Sequence, residues 1–133
     1  MPSPITDELL DALAMVESGN NPRAIGDTKL QNYAVGAFQM RRPAFEDVQR
    51  LRPQYRKRWF EELTDDPAFQ REMARNYLEV LNQNYGFSTL EDILSGYNAG
   101  PTATRRGKIP ASTQDYINRV KGFLGRRREN SPR

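Results

Sequence analysis

The chain of 133 residues contains no cysteine and no histidine. There is therefore no disulfide framework, no thiolate nucleophile and no Ser-His or Cys-His pair. A zinc site would have to be built from carboxylates alone, which is unusual for that metal. If the protein is an enzyme that works through a side-chain acid or base, that group must be Asp, Glu, Lys or Tyr, and carboxylates are the first candidates.

Long apolar runs are also missing. Apolar residues make up 37% of the chain and charged residues 28%, with a mean hydropathy of −0.83. No stretch approaches the roughly 20 apolar residues of a membrane-spanning helix, so we expect no membrane insertion. The opening MPSPITDELL lacks a positive n-region and an apolar h-region, so we expect no signal peptide.

Charge is unevenly distributed along the chain. Residues 119–133 carry six Lys or Arg and one Glu, a net +5, whereas residues 1–118 sum to −2. We predict one domain over residues 1–125 and a basic, disordered tail over residues 126–133. Basic clusters such as Arg56-Lys57-Arg58 raise the alternative of a nucleic-acid binder, whose affinity would fall steeply with salt. The negative sum over residues 1–118 argues against it.

Helix signals dominate the chain, and no βαβ pattern is present. The sequence predicts a mainly α single domain, with at most a short β-hairpin near residues 30–40. Thr6 is a candidate N-cap for a helix over residues 7–18. Capping-box patterns at Ser88 and Ser112 predict the starts of two later helices.

Glu17 lies at the end of the apolar stretch LLDALAMVESG. It follows Leu13 by four residues and Leu10 by seven, so a helix would place all three on one face. Burial removes hydration from an ionised carboxylate and raises its pKa, which suits a general acid near neutral pH. The alternative is that the helix ends before Glu17 and the side chain reaches solvent. Periodicity alone does not decide between them.

Three further segments follow Glu17-Ser18 in order, which are Gly36 to Gln39, Tyr97 to Gly100, and a C-terminal helix bearing Tyr116. This order and spacing resembles the soluble lytic transglycosylase family, whose lysozyme-like domain includes relatives of goose-type lysozyme. The likeness covers about residues 8–123.

The resemblance implies a peptidoglycan substrate and a role for each matching residue. Glu17 would be the catalytic acid that cleaves the β-1,4 bond between N-acetylmuramic acid and N-acetylglucosamine, leaving 1,6-anhydro ends. Tyr97 would donate a hydrogen bond to Glu17, and Asn98 would hold an acetamido carbonyl. The implied substrate-binding set is Ser18, Gln39, Met40, Tyr97, Asn98 and Tyr116. This chemistry needs no metal and no organic cofactor.

Some features depart from the family pattern. Phe38 is bulkier than usual before Gln39, Gly96 replaces a common Ala, and Asp27 and Thr28 occupy the neighbourhood of a substrate-positioning Ser. A hydrolytic lysozyme with Asp27 as second carboxylate, or Asp47 behind it, therefore stays open. Gly-Asp-Thr is also favourable turn chemistry, so Asp27 as a plain turn residue stays open too.

The biological setting is open at this point as well. A noncatalytic glycan-binding or virion structural domain would share the fold. We expect a monomer, either free or as part of a virion. A phage enzyme would reside in the virion, or in the host cytoplasm before release to the cell wall, and a bacterial enzyme whose leader was removed would be periplasmic.

Overall fold

A computed structural model of the chain describes residues 3–129. It is mainly helical, with one small antiparallel hairpin, which confirms the predicted fold class. The helices are α1 (Asp7–Ser18), α2 (Arg42–Leu51), α3 (Pro67–Gln83), α4 (Leu90–Ala99), α5 (Pro101–Arg106) and α6 (Ala111–Glu129), and the strands are β1 (Ile25–Gly26) and β2 (Ala34–Val35). Two short 3₁₀ segments, Pro53–Tyr55 and Phe60–Leu63, join α2 to α3.

Local sequence signals determine both ends of α1. The Thr6 side chain accepts a hydrogen bond from the backbone N–H of Leu9 at 3.1 Å, which satisfies a free donor of the first turn. At the other end, Gly19 takes the left-handed conformation with φ 66°, and glycine does so without steric cost. The helix therefore extends to Ser18, and Glu17 lies in its last turn.

The core forms where α1 packs against α6, α2 against α3, and α4 against α3 and α6. Its fully buried side chains come from every long helix, including Leu13, Phe45, Met73, Leu94 and Ile117. Burial of each such side chain contributes about 1.5–3 kcal/mol. These contacts hold α1 rigidly, and α1 carries Glu17.

The hairpin begins earlier than predicted. Ile25 pairs with Val35 and Gly26 with Ala34, so its first strand precedes the 30–40 region. A second, tighter reversal brings Val35 opposite Met40, enclosing residues 36–39. Strands of two residues are too short for alternation to reveal them, because one period of a strand is already two residues.

Two predicted helix starts and the tail need correction. Thr89, not Ser88, caps α4, since its side chain accepts from the N–H of Asp92 at 3.1 Å. Helix α6 begins at Ala111, which places Ser112 inside its first turn.

Helix α6 also continues to Glu129, so residues 126–129 are helical rather than part of a disordered tail. Arg and Glu are good helix formers, and they extend a helix already anchored by its packed face. Residues 130–133 of the predicted tail lie outside the described residues. Within residues 3–129, no helix has the length and apolar character needed to cross a bilayer.

Candidate active site

A cleft of about 580 Å³ opens beside the C-terminal end of α1. Five parts of the fold supply its walls, namely α1, the hairpin region, the first turns of α2, helix α3, and the junction between α4 and α5. The residues that line it include Glu17, Asp27, Gln39, Met40, Arg41, Asp47, Tyr77, Tyr97, Asn98 and Gly100. Segments far apart in the sequence thus meet at one concave surface, the usual form of a ligand site.

Glu17 is half-buried in this cleft, and its pKa is raised from 4.5 to about 7. Burial is the main cause, because it removes water from the charged form. The neighbouring hydroxyl of Tyr116 and the positive charges of Arg41 and Arg119 act in the opposite direction. Near neutral pH the group exists in both protonation states, as a residue that donates and then accepts a proton requires.

Two tyrosines lie close to Glu17, and of the two the Tyr116 hydroxyl is the one that lowers the pKa of that carboxyl. Tyr97 donates to the carbonyl oxygen of Phe38 at 2.8 Å, so the predicted hydrogen bond from Tyr97 to Glu17 is wrong. The carbonyl belongs to the tight 36–39 turn and needs a partner once buried. Tyr116 lies on α6 beside Glu17, and its buried hydroxyl has no partner of hydrogen-bonding geometry among the residues described.

Ser18 belongs to the support of the site rather than to the lining of the cleft. Its hydroxyl donates to the carbonyl of Ala37 at 2.7 Å and accepts from the N–H of Asn21 at 2.9 Å. It thereby ties the end of α1 to the 36–39 turn. Substrate contact by Ser18 stays a prediction.

The 36–39 turn is also fixed from the opposite side by Gln70, which is buried in α3. The Gln70 Oε1 accepts from the N–H of Ala37 at 3.0 Å, and Nε2 donates to the carbonyls of Pro22 and Leu63 at 2.9 and 2.8 Å. Gly36 makes room for this amide, because a Cβ there would lie 2.4 Å from the Gln70 Cδ. Its φ of +86° also favours glycine.

Gln39 and Met40 both line the cleft. Each also makes contacts within the protein that hold it in place. The Gln39 Nε2 donates to the carbonyls of Gly36 and Ala24 at 2.9 and 3.3 Å. Those bonds occupy the side-chain donors, so a ligand would meet an amide held in one orientation. Met40 is buried, and its backbone pairs with Val35.

Asn98 is the exposed amide of the cleft. Its Oδ1 accepts from the hydroxyl of Thr113 at 2.8 Å, and Thr113 is itself buried. This bond orients the amide and leaves Nδ2 without an intramolecular partner among the described residues. An oriented N–H pair beside Glu17 suits recognition of a carbonyl oxygen.

Both candidate second carboxylates line the cleft, and both have partners. Asp27 has a φ of 55° and forms an ion pair with Arg41. Asp47 accepts from the Tyr85 hydroxyl at 2.7 Å and from Arg50 at 2.8 Å.

Sequence reasoning missed Arg41 and Tyr77 as cleft residues. Neither residue belongs to the motifs that the sequence singled out. The single available signal for Arg41 was its position directly after Gln39 and Met40. Tyr77 packs on Tyr97 with ring centroids 5.6 Å apart, a contact between distant segments that leaves no local mark in the sequence.

The described residues form a mainly helical domain in which a half-buried carboxylate faces a cleft at the end of α1, the arrangement that the resemblance to lysozyme-like domains implies. The chain matches the transglycosylase SLT domain model over residues 3–120, which is most of its length, and it belongs to that family. Membership supports peptidoglycan lytic transglycosylase activity in general and confirms the resemblance to the family. No curated protein and no solved structure is significantly similar to the chain.

Proposed function

We propose that the protein cleaves peptidoglycan glycan strands with Glu17 as the single acid and base, and that it leaves 1,6-anhydro-muramyl ends. The observation that carries this proposal is the half-buried Glu17 in a cleft whose two other carboxylates already have partners, Arg41 for Asp27 and Tyr85 for Asp47. Its pKa of about 7 allows both proton donation and proton acceptance near neutral pH.

In the first step, protonated Glu17 gives its proton to the glycosidic oxygen as the bond from that oxygen to C1 of the muramyl sugar breaks. The carbonyl oxygen of the sugar's own 2-acetamido group bonds to C1 and takes up the developing positive charge. Such substrate assistance replaces a protein nucleophile. Asn98 presents oriented N–H donors to this region of the substrate and is our candidate for positioning an acetamido group.

In the second step, the Glu17 carboxylate accepts the proton of the C6 hydroxyl, and O6 bonds to C1 while the acetamido oxygen leaves. Glu17 is protonated again, so the cycle closes without consuming water. One residue therefore performs both proton transfers, which requires a pKa close to the working pH. The positive charge of Arg41 supports this by keeping the pKa of Glu17 from rising further.

A hydrolytic lysozyme mechanism would need a second carboxylate that holds a water or attacks C1. Asp27 is the candidate in sequence, and its ion pair with Arg41 argues against that role. The charged groups that act on Glu17 are Arg41 and Arg119. We therefore favour the transglycosylase reaction, with the hydrolase as the alternative to be tested.

Mass spectrometry of the fragments released from purified peptidoglycan tests the proposal. We expect muropeptides with 1,6-anhydro ends, each one water lighter than the hydrolysed product, and none from the Glu17→Gln variant. Reducing ends would instead establish a hydrolase. Release by Glu17→Gln at the wild-type rate would show that another residue is the acid, and no release by folded wild-type protein would favour a noncatalytic glycan-binding domain.

A further inference from the structure

A second groove, of about 320 Å³, lies on the other side of α2 from the cleft. Its walls come from α2 and from the segment that links α2 to α3. Four basic side chains line it together with one tryptophan, and these are Arg42, Arg56, Lys57, Arg58 and Trp59. We call this surface the basic groove.

The wall of the basic groove is held in place by hydrogen bonds. The Gln49 Nε2 donates to the carbonyls of Tyr55 and Arg58 at 3.0 and 2.6 Å, which fastens the linking segment along α2. The backbone N–H of Trp59 donates to the Glu62 carboxylate at 2.6 Å. The indole of Trp59 is nevertheless 71% exposed, so a fixed backbone presents an uncovered aromatic surface to solvent.

The charges of the groove favour an anionic ligand. Arg42 is paired with Glu61 at 2.9 Å, and Arg58 is paired with Glu62 at 3.0 Å.

Arg56 and Lys57, in contrast, are exposed and form no ion pair with any residue that the structure describes. Glu46 is the one acidic side chain in the lining. With all of these charges counted, the groove remains positive, and its two unpaired cations are neighbours beside Trp59.

Helix α2 connects the two concave surfaces. Pro43, Ala44 and Asp47 face the cleft. Phe45 and Gln49, from the opposite side of the same helix, face the basic groove. A helix with side chains is about 10–12 Å across, so an extended polymer that leaves the cleft over the first turn of α2 reaches the groove within a short distance.

We propose that the basic groove is a second binding site for the glycan strand, and that it holds a peptide-bearing, anionic part of the strand outside the cleft. Trp59 would pack on the apolar face of a sugar ring, as exposed aromatic rings can. Arg56 and Lys57 would pair with carboxylates of the attached peptide. This inference rests on the proposed function for the identity of the polymer.

Trp59 is the only tryptophan of the chain, so its fluorescence reports on the groove directly. The Glu17→Gln variant, which is not expected to cut its ligand, would be titrated with soluble peptidoglycan strands that retain their peptides. We expect a saturable shift in emission. A double Arg56→Ala, Lys57→Ala change should weaken binding roughly three- to tenfold, as expected for two exposed ion pairs.

The matched control removes the same charge elsewhere. Arg106 and Lys108 are exposed and unpaired within the described residues, and their double replacement by Ala should leave the affinity unchanged. An equal response to the neutral hexamer of N-acetylglucosamine would overturn the inference, because the inference attributes binding to the charges of the groove and the ligand. Tighter binding of polyglycerol phosphate or duplex DNA than of the strand would identify a different polymer.

Kinetics separate this site from the cleft. In the otherwise wild-type enzyme, Trp59→Ala should raise KM for long strands several-fold and leave kcat unchanged, because the groove touches no reacting atom. A fall in kcat with unchanged KM would contradict the inference. If wild-type protein released no fragments, the proposed function would fail, while the fluorescence titration would still test binding in the groove.

Discussion

The ionisation of Glu17 sets the expected pH dependence of the reaction. The first step requires the protonated acid, so kcat/KM should fall as the pH rises through about 7. Arg119 lowers the pKa of Glu17 through its positive charge, and Arg119→Met should therefore raise that pKa and move the alkaline limb upward. Rates of strand release measured across pH at constant ionic strength check this.

Arg41→Met provides the matching comparison. Arg41 acts on Glu17 with the same sign, so its removal should also move the alkaline limb upward. Unlike Arg119, it pairs with Asp27, and its loss also frees a carboxylate at the cleft. A downward shift of the limb in both variants would contradict the electrostatic assignment.

The same pKa makes a prediction about stability. The folded pKa of Glu17, about 7, exceeds the value of 4.5 expected for an unfolded chain. Between these values the folded state binds more protons, so its contribution to stability is full below 4.5 and is lost as the pH rises through 7. Glu17→Gln cannot ionise and should be more stable than wild type at about pH 8, by on the order of 1–3 kcal/mol.

Urea unfolding at about pH 8 and pH 4 measures this difference, which should nearly vanish at the lower pH because wild-type Glu17 is then neutral. Glu79→Gln, a change of the same chemistry on α3, serves as the control. An equal gain in unfolding free energy at both pH values would mean that Glu17→Gln stabilises the protein through packing rather than through the loss of ionisation.

For individual residues, the sequence predicted the candidate acid better than its partners. The spacing from Leu10 and Leu13 left two positions open for the Glu17 carboxylate, a buried face or solvent, and its half-burial and raised pKa agree with the first. The partner of Tyr97 was wrong because the carbonyl of Phe38 is presented by a turn that only long-range contacts define. Hydrogen-bond partners across 59 positions have no local signature.

Among the elements, the 36–39 turn depends most on a single buried side chain. The Gln70 amide forms three hydrogen bonds that connect the turn to the chain at Pro22 and Leu63. Gln70→Leu would keep the volume and leave those backbone groups without partners, each costing about 1–3 kcal/mol. We expect a loss of unfolding free energy of about 3 kcal/mol or more, measured by urea denaturation.

Gln54→Leu, at an exposed position, is the control and should change stability by less than about 0.5 kcal/mol. Lytic activity of Gln70→Leu at a temperature where it is still folded should also fall, because Ser18 and Gln39 are both attached to this turn. Normal stability with normal activity would show that the three hydrogen bonds of Gln70 are dispensable.

Elements with strong local signals have the bounds that the sequence predicted, whereas elements without such signals begin at other residues than predicted. The N-cap residue Thr6 predicted a helix over residues 7–18, and α1 has those bounds. The hairpin began earlier than expected because two-residue strands carry no readable alternation. Ser88 and Thr89 are adjacent candidates for the N-cap of α4, and only the folded structure shows that Thr89 takes this position.

The cleft is a property of the whole molecule, since its walls come from α1, the hairpin, α2, α3 and the α4–α5 junction. Sequence motifs could predict which segments take part, but not that Asp27 would be paired with Arg41 across the hairpin. The role of Asp27 distinguishes the two alternative reactions, transglycosylation and hydrolysis. A second catalytic carboxylate must hold water or attack C1, whereas a turn residue does neither.

Asp27→Asn therefore discriminates between them. We expect the variant to keep its lytic activity and its 1,6-anhydro products, whereas a hydrolase that depends on Asp27 would lose activity by orders of magnitude. Asp65→Asn is a close control, because Asp65 also has a positive φ, of 56°, and also pairs with an arginine, Arg23, away from the cleft.

Asp27→Asn should also shift the pH profile of the reaction in a defined direction. With Asp27 neutral, the charge of Arg41 is no longer compensated and acts more strongly on Glu17, so the alkaline limb of the pH profile should move downward. Asp65→Asn should leave the profile in place. A normal product with a lowered limb assigns Asp27 to the electrostatic support of the acid, and loss of activity with reducing ends in the wild-type product would assign it to catalysis.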